Sequence, residues 1–424
     1  MTNPSADEQI WPPATGTDPE QCPVQNGSIP LYGPRFQQDP ARLYREMRNQ
    51  YGPVAPIELE GGLPAWLVLG YREIHQVETN PELFARDTRR WNSWDRVPDN
   101  WSLLPFVGYQ PSLMFTEGAE HQRRTGAIGE ALDAMDQFEL RQLCEGVADR
   151  LIDGFAGSGS ADLMSQFAHP MPLYVMARLF GLSEAEAAPL MQDLTDTVAS
   201  DDGVAAHQRI NDRMVRLVER KREWPGPDVP SRLLAHSAGM TADEIVQDLL
   251  VVLTAAQQPV AYWIGNALRL MLTEERFAIT LAGGRRSVGQ ALNEVLWEDT
   301  PTQNFIGRFA SRDTQLGGHR IQTGDMLVLG FAGANTDPQV RPDAYSDSVG
   351  NHAHMSFGHG EHGCPHPGPE IGAEIARTAI EVLLDRLPDV DLAVEPEDLM
   401  WLPSVWMRGL AALPVEFSAG NVAG

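Results

Sequence analysis

Phe357-Gly358-His359-Gly360-Glu361-His362-Gly363-Cys364 is the stretch of sequence that decides the fold of this chain. It places a cysteine after three glycines within six residues, and the proline- and glycine-rich run 365–369 separates this cysteine from a predicted helix over 370–387. Glycines allow the backbone to approach a flat ligand closely. Free amides and the helix dipole stabilise a thiolate near the start of a helix. The pattern therefore predicts a metal-binding thiolate at Cys364.

Zinc is the competing metal, because His359, His362 and His366 lie close to Cys364 in the sequence. No second cysteine lies nearby, however, and the spacing matches no common zinc finger. The other two of the three cysteines do not suggest a disulfide framework, and we interpret them as inert thiols. The residues around Cys364 therefore do not favour a zinc site.

The same stretch resembles the cysteine loop of the cytochrome P450 family, Phe-Gly-x-Gly-x-His-x-Cys, at every fixed position. The resemblance continues over nearly the whole chain, including Leu179–Leu182, Ile264–Leu268 and Arg408–Leu410. It implies a mainly α fold with small β-sheets, in which haem b lies between the long I helix and the cysteine loop with its L helix. It also implies a bacterial, soluble haem-thiolate oxidoreductase.

The resemblance assigns cofactor contacts to individual residues. Cys364 is implied as the axial thiolate, which favours O–O cleavage, and Phe357 is implied beside the proximal haem face. Arginine is absent at the family's usual position four residues after the C-helix histidine, since Thr125 stands there. The residues expected to pair with haem propionates are His362, Arg308, His121 and, in place of the missing arginine, Arg123 or Arg124.

The family's Glu-x-x-Arg motif is broken in this chain, because Trp297 follows Glu294 where arginine is usual. The second arginine of the usual ion network is missing as well. Replacing a whole buried ion network can be nearly neutral, whereas removing one partner is costly. We therefore expect Trp297 to fill the volume and Glu294 to find another donor, with Arg341 as a candidate.

The long I helix departs from the family in its oxygen-handling residues. A capping box, Thr241 with Glu244, begins an apolar helix over 245–272. The family's acid and threonine are replaced by Gln258 and Pro259, which have no acidic proton and no hydroxyl. We expect Gln257, Gln258 and Pro259 to be the catalytic positions, with the carbonyl freed by the proline and the glutamine amides holding ordered water.

Residues 86–110 carry five aromatic side chains that follow neither a helix nor a strand period. This irregularity favours a pocket-lining loop over core packing. Trp406, in the predicted C-terminal β segment, together with this loop suits a flat aromatic substrate. The predicted substrate pocket consists of Trp94, Phe106, Ala255, Ala256, Asn304, Phe305, Val405 and Trp406.

Composition and charge limit the classes of partner. The 424 residues carry a net charge of −26, which disfavours nucleic-acid polymers and anionic membranes. The sequence shows no membrane-spanning stretch and no signal peptide, so a cytoplasmic protein is expected.

Residues 1–27 are predicted to be a flexible leader, and 28–424 a single haem-thiolate domain. Hairpins are predicted over 54–69 and 316–329, with a further β segment near 406–417.

The family's proton-delivering acid and threonine are replaced by Gln258 and Pro259, and residues 86–110 form an aromatic loop. Together these features indicate an oxidative enzyme of secondary metabolism that acts on an aromatic small molecule. Similar bacterial enzymes couple aromatic cyclic dipeptides to each other or to a nucleobase through C–C or C–N bonds. Ordinary hydroxylation by a monooxygenase is the alternative, and a non-catalytic haem sensor is the alternative from another class. The resemblance implies ferredoxin and ferredoxin reductase as electron donors, docking on a basic patch for which Arg123, Arg124 and Arg377 are candidates.

Overall fold

A computed structural model describes residues 27–199, 203–274, 286–341 and 350–420, and most of these residues lie in helices. The predicted leader over 1–27 falls almost entirely outside the described residues. The fold is mainly α with small β-sheets, as predicted. The α-helices are α1 Pro34–Gln38, α2 Pro40–Tyr51, α3 Tyr71–Glu78, α4 Leu104–Val107, α5 Gly118–Asp133, α6 Gln137–Asp153, α7 Pro170–Leu179, α8 Glu184–Ala199, α9 Gly203–Glu223, α10 Val229–Ala235, α11 Ala242–Thr273, α12 Arg286–Glu298, α13 Phe331–Asn335 and α14 Gly368–Arg386.

The long helix α11 lies at the centre of the fold. The predicted capping box is present, since the Thr241 side chain accepts from the Glu244 amide and the Glu244 carboxylate accepts from the Thr241 amide. The helix continues on both sides of Pro259, although the proline removes one backbone donor. Helices α7, α9, α12 and α14 pack around α11, and its apolar side chains form the middle of the largest hydrophobic core.

Eleven strands form three sheets among the described residues. The six-stranded sheet has the order β1-β2-β3-β9-β6-β4, the three-stranded sheet β10-β11-β5, and the two-stranded sheet β7-β8. The strands are β1 Ile29–Pro30, β2 Val54–Leu59, β3 Leu63–Val68, β4 Phe84–Ala85, β5 Ser160–Asp162, β6 Phe305–Ala310, β7 Thr314–Leu316, β8 His319–Ile321, β9 Met326–Leu329, β10 Asp391–Leu392 and β11 Pro414–Glu416.

The prediction of the β2–β3 hairpin is confirmed, but the prediction for 316–329 is wrong. The tight turn is at Gly317-Gly318, where both glycines have positive φ, and it joins β7 to β8. Strand β9 pairs instead with β3 and β6 in the large sheet. The C-terminal segment is also shorter than predicted, since a strand forms only over 414–416 and Met407 makes an isolated bridge to Thr302. Among the described residues, no helix combines the length and apolarity needed to cross a bilayer.

Candidate haem-thiolate site

Cys364 lies between a short helical turn, Gly360–His362, and the start of α14. Its amide donates to the carbonyl of Phe357 at 2.7 Å, which closes the loop. Gly358 and Gly360 have φ of 68° and 71°, a conformation that side chains other than glycine rarely adopt. A β-carbon on Gly368 would lie 2.9 Å from the Cys364 sulfur. The glycines therefore allow the loop to fold tightly and leave the sulfur room at the helix start.

The Cys364 thiol is accessible, whereas Cys144 is buried. The protein nevertheless surrounds the Cys364 sulfur, because burial, with a smaller effect of Glu370, raises the pKa of this thiol to about 12. Forming the thiolate in such a place requires a neighbouring positive charge, which a bound metal ion supplies.

Two buried arginines meet beside this loop. Strands β4 and β6 pair Phe84 with Ala310 and Ala85 with Phe309, and the next step of this register brings Arg86 opposite Arg308. The Arg308 side chain is 1% exposed, and none of its three guanidinium nitrogens has a hydrogen-bond partner among the described residues. Burial lowers the pKa of Arg308 to about 10, in spite of a carboxylate nearby.

Arg86 is held by backbone carbonyls. Its Nη1 donates to Ile306 at 2.7 Å and Gly307 at 2.9 Å, and its Nε donates to Met114 at 3.0 Å. Burial, together with the charge of Arg308, lowers the pKa of Arg86 well below its usual value. Arg86 was not among the predicted site residues, because its closeness to Arg308 depends on pairing between strands more than 200 residues apart in the sequence.

His362 and His121 complete this cluster, with ring centroids 4.1 Å apart. His362 Nε2 has no partner among the described residues. Burial and the nearby His121, Arg308 and Arg86 lower the pKa of His362 to about 2. His121 contacts the Leu113 carbonyl through Nδ1 and the Glu361 carbonyl through Nε2, both at 3.0 Å. His121 thus ties α5 to the cysteine loop through backbone atoms.

Two carboxylates lie near this cluster in the described part of the chain: Glu78 beside Arg308, and Glu117, which accepts from the Arg86 amide at 2.9 Å. Glu78 Oε1 lies 3.8 Å from Arg308 Nη2, and the Glu78 side chain is 1% exposed. Burial raises the pKa of Glu78 to about 7, although Arg308 and the His359 amide oppose this effect. A Glu78 carboxyl group with a pKa of about 7 is only partly ionised near neutral pH, so it does not fully neutralise the buried Arg308.

A porphyrin with two propionates and a central iron fits this arrangement. The propionates would supply anions to Arg308, Arg86 and the unpartnered His362 nitrogen, and the iron would supply the positive charge that a Cys364 thiolate needs. A cysteine sulfur beside buried guanidinium groups is therefore a donor set that suits a thiolate-ligated haem.

Known proteins support the same assignment. No protein-family model matches the chain. Cytochrome P450 107B1 of Saccharopolyspora erythraea is 28% identical over 92% of this chain and 99% of its own length. The structure of CYP154C4 from Streptomyces has a TM-score of 0.82 and 26% identity, covering 92% of this chain and 97% of that one. The structure of CxnD has a TM-score of 0.78 and 27% identity, covering 93% and 99%. The chain is a cytochrome P450 of the bacterial, actinomycete type, and hence an oxidoreductase.

The contact of Arg124 or Arg123 with a haem propionate stays a prediction, and in the structure both guanidinium groups are paired with carboxylates of α11. Arg124 is 2% exposed and forms a buried ion pair with Asp248 of α11, with Nε 2.9 Å from Oδ2. Arg123 pairs with Glu244 at the start of α11. Both arginines of α5 therefore attach this helix to α11. Arg377 pairs with Glu374 at 3.4 Å, and the basic docking patch stays a prediction.

The broken Glu-x-x-Arg motif has a structural replacement. Trp297 is fully buried, as predicted, and its indole donates to the Asn351 carbonyl at 2.9 Å. The Arg341 guanidinium lies 5.5 Å from the Trp297 ring centroid and pairs with Glu298 at 3.2 Å. Burial and Glu294 raise the pKa of Glu298 to about 7. A tryptophan, one arginine and two neighbouring carboxyl groups thus occupy this region.

The three predicted catalytic positions lie in the continuous part of α11. Gln257 is 5% exposed, and its Nε2 donates to the His169 carbonyl at 3.3 Å, which attaches α11 to the turn before α7. Gln258 and Pro259 are half-buried. The nearby Thr254 hydroxyl donates back to the Leu250 carbonyl at 3.0 Å. The role of these positions in proton delivery stays a prediction.

Several predicted pocket residues share one apolar cluster on the side of the large sheet. This cluster contains Trp94, Phe305, Val405 and Trp406. Asn304 is fully buried, and its Nδ2 donates to the Tyr44 hydroxyl at 2.9 Å and the Val405 carbonyl at 2.8 Å. Its Oδ1 has no partner among the described residues. On α11, Ala255 is exposed and Ala256 half-buried. Phe106 is 47% exposed and lies outside the cluster.

Two aromatic residues of the predicted pocket-lining segment 86–110 are buried. Trp91 is 3% exposed and Trp101 5% exposed, with ring centroids 5.8 Å apart. The Trp101 indole donates to the Glu60 carbonyl in the β2–β3 turn at 2.7 Å. The segment is built from short 3-10 turns, so its buried positions follow no regular period.

Proposed function

We propose that this cytochrome P450 holds haem b in one catalytic domain over 28–424 and oxidises an aromatic small molecule of secondary metabolism, with oxidative coupling as its leading reaction. The observation that carries the reaction type is the chemistry of α11. Residues 257–259 offer two amides and a proline, and the Gln257 amide is already bound to the His169 carbonyl. Neither a carboxyl group nor a free hydroxyl is available at these positions to deliver protons.

The haem group, when bound through its thiolate ligand, supplies oxidation with dioxygen. The chain's own residues position the cofactor: Cys364 ligates the iron, and Arg86, Arg308 and His362 bind the propionates. The carbonyl of Ala255 lacks its usual helical donor because of Pro259, so it can hold a water or a polar substrate group near the reacting atoms. A substrate that carries its own N–H or O–H can then supply protons that the helix does not.

Oxidative coupling balances without oxygen transfer to the product. Each of two aromatic partners loses one hydrogen, and one C–C or C–N bond forms between them. Dioxygen takes up these two hydrogens, together with two protons and two electrons from the electron donor, and leaves as two waters. Hydroxylation consumes the same electrons but places one oxygen atom in the product.

The apolar cluster beside the sheet suits an aromatic substrate with carbonyl acceptors. The indole Nε1 atoms of Trp91 and Trp406 are buried and have no partner among the described residues. An unpartnered buried donor costs about 1–3 kcal/mol, which a ligand carbonyl offsets. Cyclic dipeptides with aromatic side chains combine flat rings with two amide carbonyls, so we propose them as the substrate class.

Names of related proteins support both reaction types. CxnD is described as forming a C–S bond in chuangxinmycin biosynthesis, which is a bond-forming oxidation. A relative from Streptomyces carzinostaticus is named 2-hydroxy-5-methyl-1-naphthoate 7-hydroxylase, and this name favours hydroxylation of an aromatic substrate as the second candidate. We propose ferredoxin with ferredoxin reductase as the source of electrons for either reaction.

An optical titration tests the substrate class first. Ferric protein is titrated with aromatic cyclic dipeptides, alone and with nucleobases, while the haem spin-state band is recorded. A saturable shift to high spin is expected. Turnover with ferredoxin and its reductase is then analysed by mass spectrometry. Loss of two hydrogens per coupled product supports coupling, and gain of one oxygen supports hydroxylation. Absence of a shift across the panel refutes the proposed substrate class.

A further inference from the structure

Helix α9 carries a row of arginines that faces α8. Arg209, Arg213, Arg216 and Arg220 are spaced by four, three and four residues, so they share one side of the helix. The chain has 58 acidic and 32 basic residues. Four arginines on one helical face are therefore a local exception to a strongly acidic surface.

Carboxylates of α8 pair with this row at both ends. Arg220 Nη1 lies 2.7 Å from Glu186 Oε1. Arg213 Nε lies 2.8 Å from Asp193 Oδ2, and Arg209 Nε lies 2.6 Å from Asp193 Oδ1. The pairing of low numbers in α8 with high numbers in α9 shows that the two helices run antiparallel.

One position between these ion pairs of α8 and α9 has an arginine but no carboxylate. Pro189 and Leu190 lie halfway between Glu186 and Asp193 on α8. Arg216 lies halfway between their partners Arg220 and Arg213 on α9. Arg216 is exposed and forms no ion pair with any residue in the described part of the chain. Its charge is therefore available to an anion from solution.

A cleft of about 130 Å³ lies between α8 and α9 next to Arg216. Its apolar wall consists of Leu182, Leu190, Met214 and Leu217. The charged residues that line it are Arg213, Arg216, Arg220 and Glu186, and of these Arg213 and Arg220 are already paired with the carboxylates of α8. The four apolar residues are buried or nearly so. Apolar protein cavities of about 150 Å³ take up a benzene ring, so the cleft has room for one small ring or a short alkyl chain.

We propose that this cleft binds a small organic carboxylate, with its anionic group paired to Arg216 and its ring or chain against the apolar wall. The ligand provides the carboxylate that Pro189 and Leu190 do not, and it joins α8 to α9. None of the lining residues belongs to the haem-thiolate site, so this is a second binding site with its own ligand class. Neutral and cationic analogues should bind more weakly because they lack the negative charge that pairs with Arg216.

The test uses the haem-loaded ferric protein with 4-fluorobenzoate as the probe. Imidazole at saturating concentration occupies the iron, so that binding near the haem does not contribute. Fluorine NMR line broadening of the probe measures binding, with 4-fluorobenzamide as the neutral control. We expect saturable broadening with 4-fluorobenzoate and at least tenfold weaker binding of the amide.

Three variants test whether 4-fluorobenzoate binds in this cleft. Arg216→Gln removes the cation and should weaken 4-fluorobenzoate binding at least tenfold. Pro189→Glu supplies the missing carboxylate from the exposed face of α8 and should have the same effect, whereas its matched control Pro189→Gln should bind as the wild type does. The haem spectrum and thermal midpoint of each variant report whether it is folded.

Two results overturn the proposal. One is the absence of saturable 4-fluorobenzoate binding to the wild type up to the solubility limit of the probe. The other is binding of equal strength in the folded Arg216→Gln variant, which would place the carboxylate elsewhere on the protein.

Discussion

Arg86→Gln tests the assignment of the second propionate-binding arginine. Arg86 lies opposite Arg308 through the β4–β6 register and shares its burial. Glutamine keeps a polar group of lower volume but removes the charge. A hydrogen bond to a charged group contributes about 1.5–3 kcal/mol. Since every 1.4 kcal/mol is tenfold in affinity, we expect haem to bind about 10- to 100-fold more weakly.

Arg124→Gln is the matched control. Arg124 is buried to the same degree but pairs with Asp248, so its removal leaves an uncompensated buried carboxylate. Such losses cost about 3–5 kcal/mol of stability. We therefore expect Arg124→Gln to lower the free energy of unfolding more than Arg86→Gln does, while haem affinity changes less.

The assay follows the transfer of haem from each variant to an excess of haem-free myoglobin, well below the unfolding temperature. Urea unfolding of the same samples gives the stability. Faster haem transfer in Arg86→Gln than in Arg124→Gln supports the assignment. Equal transfer rates for Arg86→Gln and the wild type would refute it, and so would faster transfer in Arg124→Gln.

Three further perturbations probe other parts of the site. Because the pKa of Glu78 is raised to about 7 from an ordinary value of about 4.3, its ionisation destabilises the fold as pH rises. Urea unfolding of haem-free Glu78→Gln should match the wild type below pH about 4 and exceed it by about 3 kcal/mol above pH about 7; a constant difference contradicts this. Gln257→Ala and Gln258→Ala should uncouple NADH consumption from product formation, and full coupling in both rules out a role for their amides. Trp406→Phe should weaken the spin shift with cyclic dipeptides about tenfold but not with carbonyl-free aromatics; equal loss for both indicates packing alone.

Local sequence signals predicted much of the framework. The spacing around Cys364 predicted its loop, because glycine and proline restrict or permit particular backbone conformations within a few residues. The capping box predicted the start of α11 for the same local reason. Trp297 could be placed inside the protein because a large apolar residue replaced a buried charge.

The parts that the sequence did not indicate depend on contacts between distant segments. Arg86 meets Arg308 only because β4 pairs with β6. Strand β9 joins the large sheet because its hydrogen-bond partners lie in β3 and β6, which no short stretch of sequence specifies. Arg124 turns to Asp248 because α5 packs across the start of α11. Arg124 was expected to substitute for the family's missing arginine at a propionate, and the sequence did not indicate that a buried carboxylate of α11 would pair with it.

The most direct test of the central claim is the absorption spectrum of the reduced protein with carbon monoxide, compared between Cys364→Ser and Cys144→Ala. A thiolate opposite carbon monoxide moves the main haem band to longer wavelength than other ligands do. We predict the long-wavelength band in the wild type and in Cys144→Ala, and its loss in Cys364→Ser with haem still bound. A long-wavelength band that persists in Cys364→Ser would contradict the assignment of Cys364 as the iron ligand.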